Sequence, residues 1–257
     1  MDEHPREPES STTQTPKAEP SEFSMKPIFK DMLDRVASNP ASDTDIDERL
    51  REEAERTERY RRGAIWDELV LERGSRYADC RFGTYVCNGH EQAKARQQVE
   101  DYARSLPAAL EFGRGMVLFG PRGTGKDHLL MSVLRAAVKA YGFTVKWQNG
   151  QDLFGQIRDG MDSGESEGQL VARLSQPQIL AISDPLPIVG ELTAHQSNML
   201  FRIVDRRYSR NVPTLVTLNV LTGAEAEKRM GAQIVDRLKH DALVVFCNWP
   251  SFRKAAD

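Results

Sequence analysis

The chain has 257 residues, 39% of them hydrophobic and 28% charged, and its 35 Lys and Arg against 38 Asp and Glu give a formal net charge of −3. That length holds one sizeable α/β domain with an appendage, and the near-balanced charge excludes a globally basic nucleic-acid binder, leaving only local patches for such contacts. Cys80, Cys87 and Cys247 are too scattered for a disulfide framework or zinc site, the longest apolar runs are strand-sized, and the acidic start MDEHPREPES gives no secretory signal, so a cytoplasmic protein without membrane contact is expected.

Residues 1–24 are rich in Glu, Pro, Ser and Thr and carry no apolar period, the composition of a disordered tail. From Met25 to Ala37, Ile28, Phe29, Met32, Leu33 and Val36 fall at helical spacing and predict a short amphipathic helix. After the break SNPASDTD, a charge-laced helix begins near Asp45, with acids early and arginines late, as the helix dipole favours. Residues 25–75 therefore read as a helical N-terminal extension, and 76–257 as the compact domain. Within that domain EQAKARQQVEDYARSLPAAL predicts a helix, and GMVLFG (Gly115–Gly120) a buried strand running into a glycine-rich loop. KDHLLMSVLRAAVKAYG follows as a helix, FTVKWQN as a strand, and GQDLFGQIRDGM and EGQLVARLSQ as helices. QILAIS, PTLVTLN and ALVVFCN are further strands, separated by the helical stretches TAHQSNMLFRIVDRRYSR and GAEAEKRMGAQIVDRLKH. Strands alternating with helices imply a parallel sheet covered on both faces, a three-layer α/β domain.

The segment GPRGTGKDHLL, Gly120 to Leu130, fits the phosphate-binding loop G-x-x-x-x-G-K-[ST] up to its last position, where Asp127 replaces the hydroxyl residue. Its setting, between a strand and a helix, is the one such a loop requires. Glycines let backbone N–H groups turn onto phosphates, the helix adds its positive end, and Lys126 supplies a fixed charge. The predicted nucleotide-binding set is Gly120, Pro121, Arg122, Gly123, Thr124, Gly125, Lys126, Asp127 and His128. The companion motif, an apolar strand ending in acids for magnesium and for the attacking water, is represented by ILAISDPLP with one acid, Asp184. Two registers are open. Either Asp184 takes the magnesium position and Pro185 the next, or Ser183 takes the magnesium position and Asp184 the catalytic one. In the second register acid and hydroxyl have exchanged places between loop and strand, and Asp127 with Ser183 would share the ion.

From Arg76 to Lys254 the chain resembles the DnaC/IstB group of AAA+ ATPases, and the DnaC-type helicase loaders more than the transposon helpers. GTGKDHL resembles the group's G-T-G-K-x-H-L loop, in which the DnaC-type loader has Asn after the lysine, nearly isosteric with Asp127. VDRRYSRNVPT resembles the segment before the sensor strand, and TLN places Asn219 at the sensor-1 position. IVDRL resembles box VII, with Arg237 as the arginine finger, and FCNWPSFRK the last strand and tail, with Arg253 at the sensor-2 position.

The resemblance implies an AAA+ P-loop domain that binds ATP with Mg2+ and hydrolyses it weakly between subunits, with Asp184, Asn219, Arg237 and Arg253 as catalytic groups. It further implies self-association through the AAA+ interface, a replicative helicase gripped by the N-terminal segment, and single-stranded DNA as a ligand. In the region corresponding to the family's DNA-contacting insertion, Phe154 offers a base-stacking ring and Arg158 and Arg173 offer phosphate contacts. An IstB-like transposition helper and a degenerate ATPase acting as a scaffold are the alternatives. A small-molecule kinase fits poorly, because no acceptor site or lid is recognisable.

Overall fold

The computed structural model describes residues 43–163 and 166–253, with the side chains of Asp43 and of 157–163 excepted. The expected tail over 1–24, the helix expected over 25–37, Lys254 and the Arg158 side chain lie outside the described residues. In chain order the elements are α1 (Asp43–Arg73), α2 (His90–Arg104), α3 (Leu106–Glu111), β1 (Met116–Phe119), α4 (Lys126–Lys139), β2 (Val145–Asn149) and α5 (Gly150–Ser163). They continue with α6 (Glu167–Ser175), β3 (Ile179–Ser183), α7 (Ala194–Tyr208), β4 (Thr214–Leu218), α8 (Gly223–Met230), α9 (Ala232–Lys239) and β5 (Leu243–Phe246).

The strands form one parallel sheet in the order β2-β3-β4-β1-β5. Alternation along each strand builds the layers. Met116, Leu118, Ile179, Ala181, Leu215 and Val245 face a cluster made with α1 to α4. Val117, Leu180, Ile182, Val216 and Leu218 face a second cluster made with α5 to α9. The apolar runs of β3 and β4 are buried along their whole length, as strands covered on both faces must be. Because β2 lies at one edge, the connection from β1 passes over β4 and β3. Such a switch in strand order leaves a crevice at the carboxyl ends of the strands. The loop after β1 and the residues following β3 and β4 all converge there.

Two stretches that the apolar spacing makes continuous helices are divided. Pro107, in the first turn of α3, lacks an N–H and crowds the preceding turn, so α2 stops at Arg104. Gly231, at φ 105, separates α8 from α9. The domain boundary expected at Arg76 also shifts. The compact unit holding the sheet begins at Glu55, inside α1. Trp66 and Leu69 of α1 are buried in the first cluster, and Arg62 donates to the carbonyls of Lys139 and Ala140 at the end of α4. The residues of α1 before Glu55 are exposed wherever their side chains are described.

A fully buried arginine, Arg207 at the end of α7, joins three elements. Its Nε donates to Thr214 Oγ1 at 3.0 Å, its Nη1 to the Pro177 carbonyl at 2.8 Å, and its Nη2 to the Pro213 carbonyl at 2.7 Å. The carbonyls of Leu174 and Gln178 are also within reach. Burial pulls its pKa down to about 9, yet the fork satisfies carbonyls at the entries to β3 and β4 that no other side chain among the described residues reaches. Arg207→Ala should therefore lower the free energy of urea unfolding by about 3 kcal/mol or more, since several buried acceptors lose their donor together. Arg207→Lys, which keeps the charge but not the planar fork, should recover only part of that loss.

Candidate nucleotide site

The loop between β1 and α4 is built for close approach. Gly125 caps α4 in the left-handed region at φ 83, and a Cβ there would lie 2.7 Å from the Tyr85 ring. At Gly123 (φ 81) a Cβ would fall 1.9 Å from Ser251 Oγ. The loop is strapped from both ends of the domain. The Thr124 carbonyl accepts from Tyr85 Oη at 3.0 Å and from Trp249 Nε1 at 2.9 Å, and the Phe252 N–H donates to the Gly123 carbonyl at 2.9 Å. Lys126 is buried, with Nζ donating to the carbonyls of Gly120 at 2.9 Å and Pro121 at 2.6 Å. Burial lowers its pKa. Among the described residues its ammonium has carbonyl and hydroxyl partners but no carboxylate, so it is set to receive an anion.

Asp127 follows in the first turn of α4 and gathers three elements. Its Oδ1 accepts from Ser183 Oγ at 2.9 Å and from Thr217 Oγ1 at 3.0 Å, and its Oδ2 pairs with Arg73 Nη2 at 2.7 Å. The strand pleat explains this. Ser183 continues the face of Ile179 and Ala181, toward α4, and pairs in register with Thr217. Ser183 thus stands opposite Asp127, while Asp184 does not touch it.

Asp184 comes one residue later, at φ 50, a conformation that non-glycine residues adopt at a cost and chiefly at functional sites. Burial raises its pKa, opposed by the Asn219 side-chain amide, which donates to Asp184 Oδ2 at 2.5 Å. A cavity of about 370 Å³ is lined by Arg122, Gly123, Gly125, Lys126, Asp127, His128, Asp184, Asn219 and Arg253, joined by Arg76, Tyr77, Cys80, Thr217 and Phe252. Gly120, Pro121 and Thr124 shape the loop behind it, and Thr124 is fully buried.

Other expected residues are not brought here. Arg237 pairs with Asp205 Oδ1 at 2.5 Å, lies near the rings of Phe201 and Tyr208, and lines a separate cavity with Gly115 and Thr214, at the amino ends of the strands. Phe154 is half-buried against the second cluster, and Arg173 is exposed on α6. The sequence reading missed Arg73 and Thr217. Thr217 carried a signal, a hydroxyl following two apolar residues in a buried strand and two residues before Asn219. Arg73 carried none, since its contact spans 54 positions.

Magnesium takes hard oxygen ligands, usually one or two from protein and the rest from phosphates and water. The carboxylate and two hydroxyls meeting at Asp127 fit that donor set, although among the described residues no group of three His, Cys, Asp or Glu forms a self-sufficient metal cluster.

The family model for IstB-like ATP-binding proteins matches residues 88–257, and the chain belongs to this family. A putative insertion sequence ATP-binding protein of Sinorhizobium fredii is 26% identical over 146 residues, covering 55% of this chain and 47% of that protein. A putative ATP-binding protein in an insertion sequence of Mycobacterium tuberculosis is 23% identical, covering 56% of this chain and 57% of that one. The chain thus spans about half the length of these relatives. Among solved structures, the DnaC helicase loader aligns with a TM-score of 0.61 at 20% identity, over 67% of this chain and 99% of that one. DnaI aligns at 0.53 with 19% identity, over 68% and 91%. Replication initiator DnaA bound to AMPPCP and single-stranded DNA aligns at 0.55 with 15% identity, over 65% and 49%. These likenesses establish the AAA+ P-loop fold. Among the described residues no helix is long and apolar enough to cross a membrane.

The facing pair Asp127 and Ser183 can be tested without nucleotide. Ser183→Asp should set two carboxylates against each other in a buried setting and destabilise the fold. Asp127→Thr together with Ser183→Asp should restore stability beyond the sum of the single effects. A coupling of about 1 kcal/mol or more in urea unfolding is expected for residues in contact.

Proposed function

We propose that this member of the IstB-like family is an ATP-dependent AAA+ switch that helps place a replicative helicase on single-stranded DNA, with slow ATP hydrolysis between copies of the chain. The observation carrying this reading is the single cavity that gathers the phosphate loop, Asp184, Asn219 and Arg253, with Arg237 held elsewhere. In this reading Lys126 would turn from the loop carbonyls to the β- and γ-phosphates, and Asp127 and Ser183 would help hold a magnesium ion, which would supply charge to neutralise them. Asp184 orients the attacking water, its proton affinity raised by burial, and Asn219 fixes its carboxylate. Arg253 sits at the cavity rim, and Arg237 serves a neighbouring copy's nucleotide. DNA contact is assigned to Phe154, Arg158 and Arg173, and helicase capture to the segment before the compact unit.

The names of the sequence relatives favour a second reading, a transposition helper acting with a transposase on target DNA. Both readings share the nucleotide chemistry and differ in partner. A pulldown with the full chain from its native host, probed for replicative helicase and for transposase, is expected to recover helicase. Recovery of transposase instead would establish the second reading.

Lys126→Ala should weaken ATP binding in calorimetry at least tenfold, the loss of a charge-assisted contact of about 1.5–3 kcal/mol. Arg237→Ala should leave that affinity unchanged while slowing turnover or ATP-dependent assembly, as a residue acting across an interface must. Equal ATP affinity in the wild type and Lys126→Ala would remove the nucleotide assignment.

A further inference from the structure

We infer that Arg73 is a positioning residue that competes with magnesium for Asp127 and thereby sets how much magnesium tight ATP binding requires. The inference rests on the ATP reading above.

Arg73 ends α1, and its guanidinium is held on three sides. Nη2 lies 2.7 Å from Asp127 Oδ2, the Tyr77 ring is 3.9 Å from the guanidinium carbon, and the Trp147 ring is 4.3 Å from it on β2. The side chain is 12% exposed, and its Nε is buried without a hydrogen bond among the described residues. The rings fix the group in place without satisfying it, so Asp127 is the partner that matters. Neighbouring Glu72 pairs with Lys146 at 2.6 Å, which ties the same turn of α1 to β2.

The two oxygens of Asp127 are unequal. Oδ1 already accepts two hydroxyls, from Ser183 and Thr217, whereas among the described residues Oδ2 holds only Arg73. A divalent cation bound directly to this carboxylate needs one of these oxygens, and Oδ2 is the one whose hydroxyl network stays intact. Guanidinium and metal compete for it, because two cations a few ångströms apart in a partly buried setting repel each other. Without metal, Arg73 masks the carboxylate that would otherwise repel phosphate. With metal, Arg73 must withdraw and the last turn of α1 loosens. The arrangement differs from an ordinary phosphate loop, where a neutral hydroxyl stands at this position and needs no masking.

The test is calorimetric titration of the full chain with AMPPCP over a series of MgCl2 concentrations, for wild type, Arg73→Gln and Arg73→Lys. Removing the competitor should lower the MgCl2 concentration giving half the maximal affinity gain by about fivefold or more, the low end for coupling between sites. The same variant should bind AMPPCP more weakly in EDTA. Arg73→Lys, which keeps a cation, should stay closer to wild type. Amide exchange over residues 66–77 should rise in wild type on adding AMPPCP with MgCl2, and should already be high in Arg73→Gln without them. If Arg73→Gln does not fold, Tyr77→Leu, which removes one face of the clamp, should shift the magnesium requirement in the same direction. Equal magnesium requirements in wild type and the folded variant, with both binding AMPPCP, would overturn the competition. Failure of the wild type to bind AMPPCP at any MgCl2 concentration would instead bring down the ATP reading and the competition with it.

Discussion

The carboxylate of Asp127 is the point on which the nucleotide end of this domain closes. It sits on the first turn of α4, accepts hydroxyl protons from β3 and β4, and draws a guanidinium from α1. A partly buried carboxylate is best tolerated when its charge is paired and hydrogen-bonded, and here the partners are residues far apart in sequence. Replacing the usual hydroxyl at this position therefore required changes elsewhere. The strand across from it carries Ser183, and the helix that leads into the domain delivers Arg73. The loop glycines and Lys126 can keep their ordinary geometry because this neighbouring network absorbs the additional charge.

The same economy appears in how the loop is braced. Phosphate loops need a pliable backbone and also a fixed one, and glycine supplies only the first. The rigidity comes from outside, through Tyr85 and Trp249 on the Thr124 carbonyl and the Phe252 N–H on Gly123. Tyr85 also stands edge-on to His128 and Phe252, so segments preceding β1 and following β5 meet over the loop. Side-chain bulk at Gly123 or Gly125 would separate them.

Much of this was legible in the sequence because burial on both faces writes long apolar runs, and all of the strands fall within the stretches expected for them. The phosphate loop was legible because its glycines and lysine must stand at fixed spacing. Helix continuity was read too generously at Pro107 and Gly231, where a local backbone constraint overrode an apolar pattern that continues on either side. That Ser183 and not Asp184 faces Asp127 was not legible, since it depends on which face of β3 meets α4, a tertiary fact. Arg73 was illegible for a different reason. Charged residues on α1 are abundant, and nothing local separates the one that turns inward from those in solvent. That the compact unit reaches back into α1 was illegible on the same ground, because the burial of Trp66 and Leu69 is a tertiary fact about a helix whose surroundings read as polar.

The polarity of the sheet bears on how a nucleotide signal could leave the domain. The cavity lies at the carboxyl ends of the strands, while Arg237 lies toward their amino ends, paired to Asp205 beside two aromatic rings. The two side chains of that pair remain 27% and 37% exposed, and ion pairs so open to water contribute only about 0–1 kcal/mol. Releasing Arg237 toward another copy's phosphate is therefore inexpensive. Arg207, two residues from Asp205 on α7, is buried and tied to carbonyls at the starts of β3 and β4, so the helix carrying Asp205 is anchored in place. Arg237 would then, under the proposed function, be the partner that moves and Asp205 the one that stays. Under the proposed function the domain carries a soft contact at each end of a rigid sheet, Arg73 on Asp127 at one and Arg237 on Asp205 at the other. Packed elements of this kind convert small local exchanges into discrete states. In the first exchange a cation arriving with the nucleotide would replace the guanidinium on Asp127, and in the second a phosphate would replace Asp205 on Arg237.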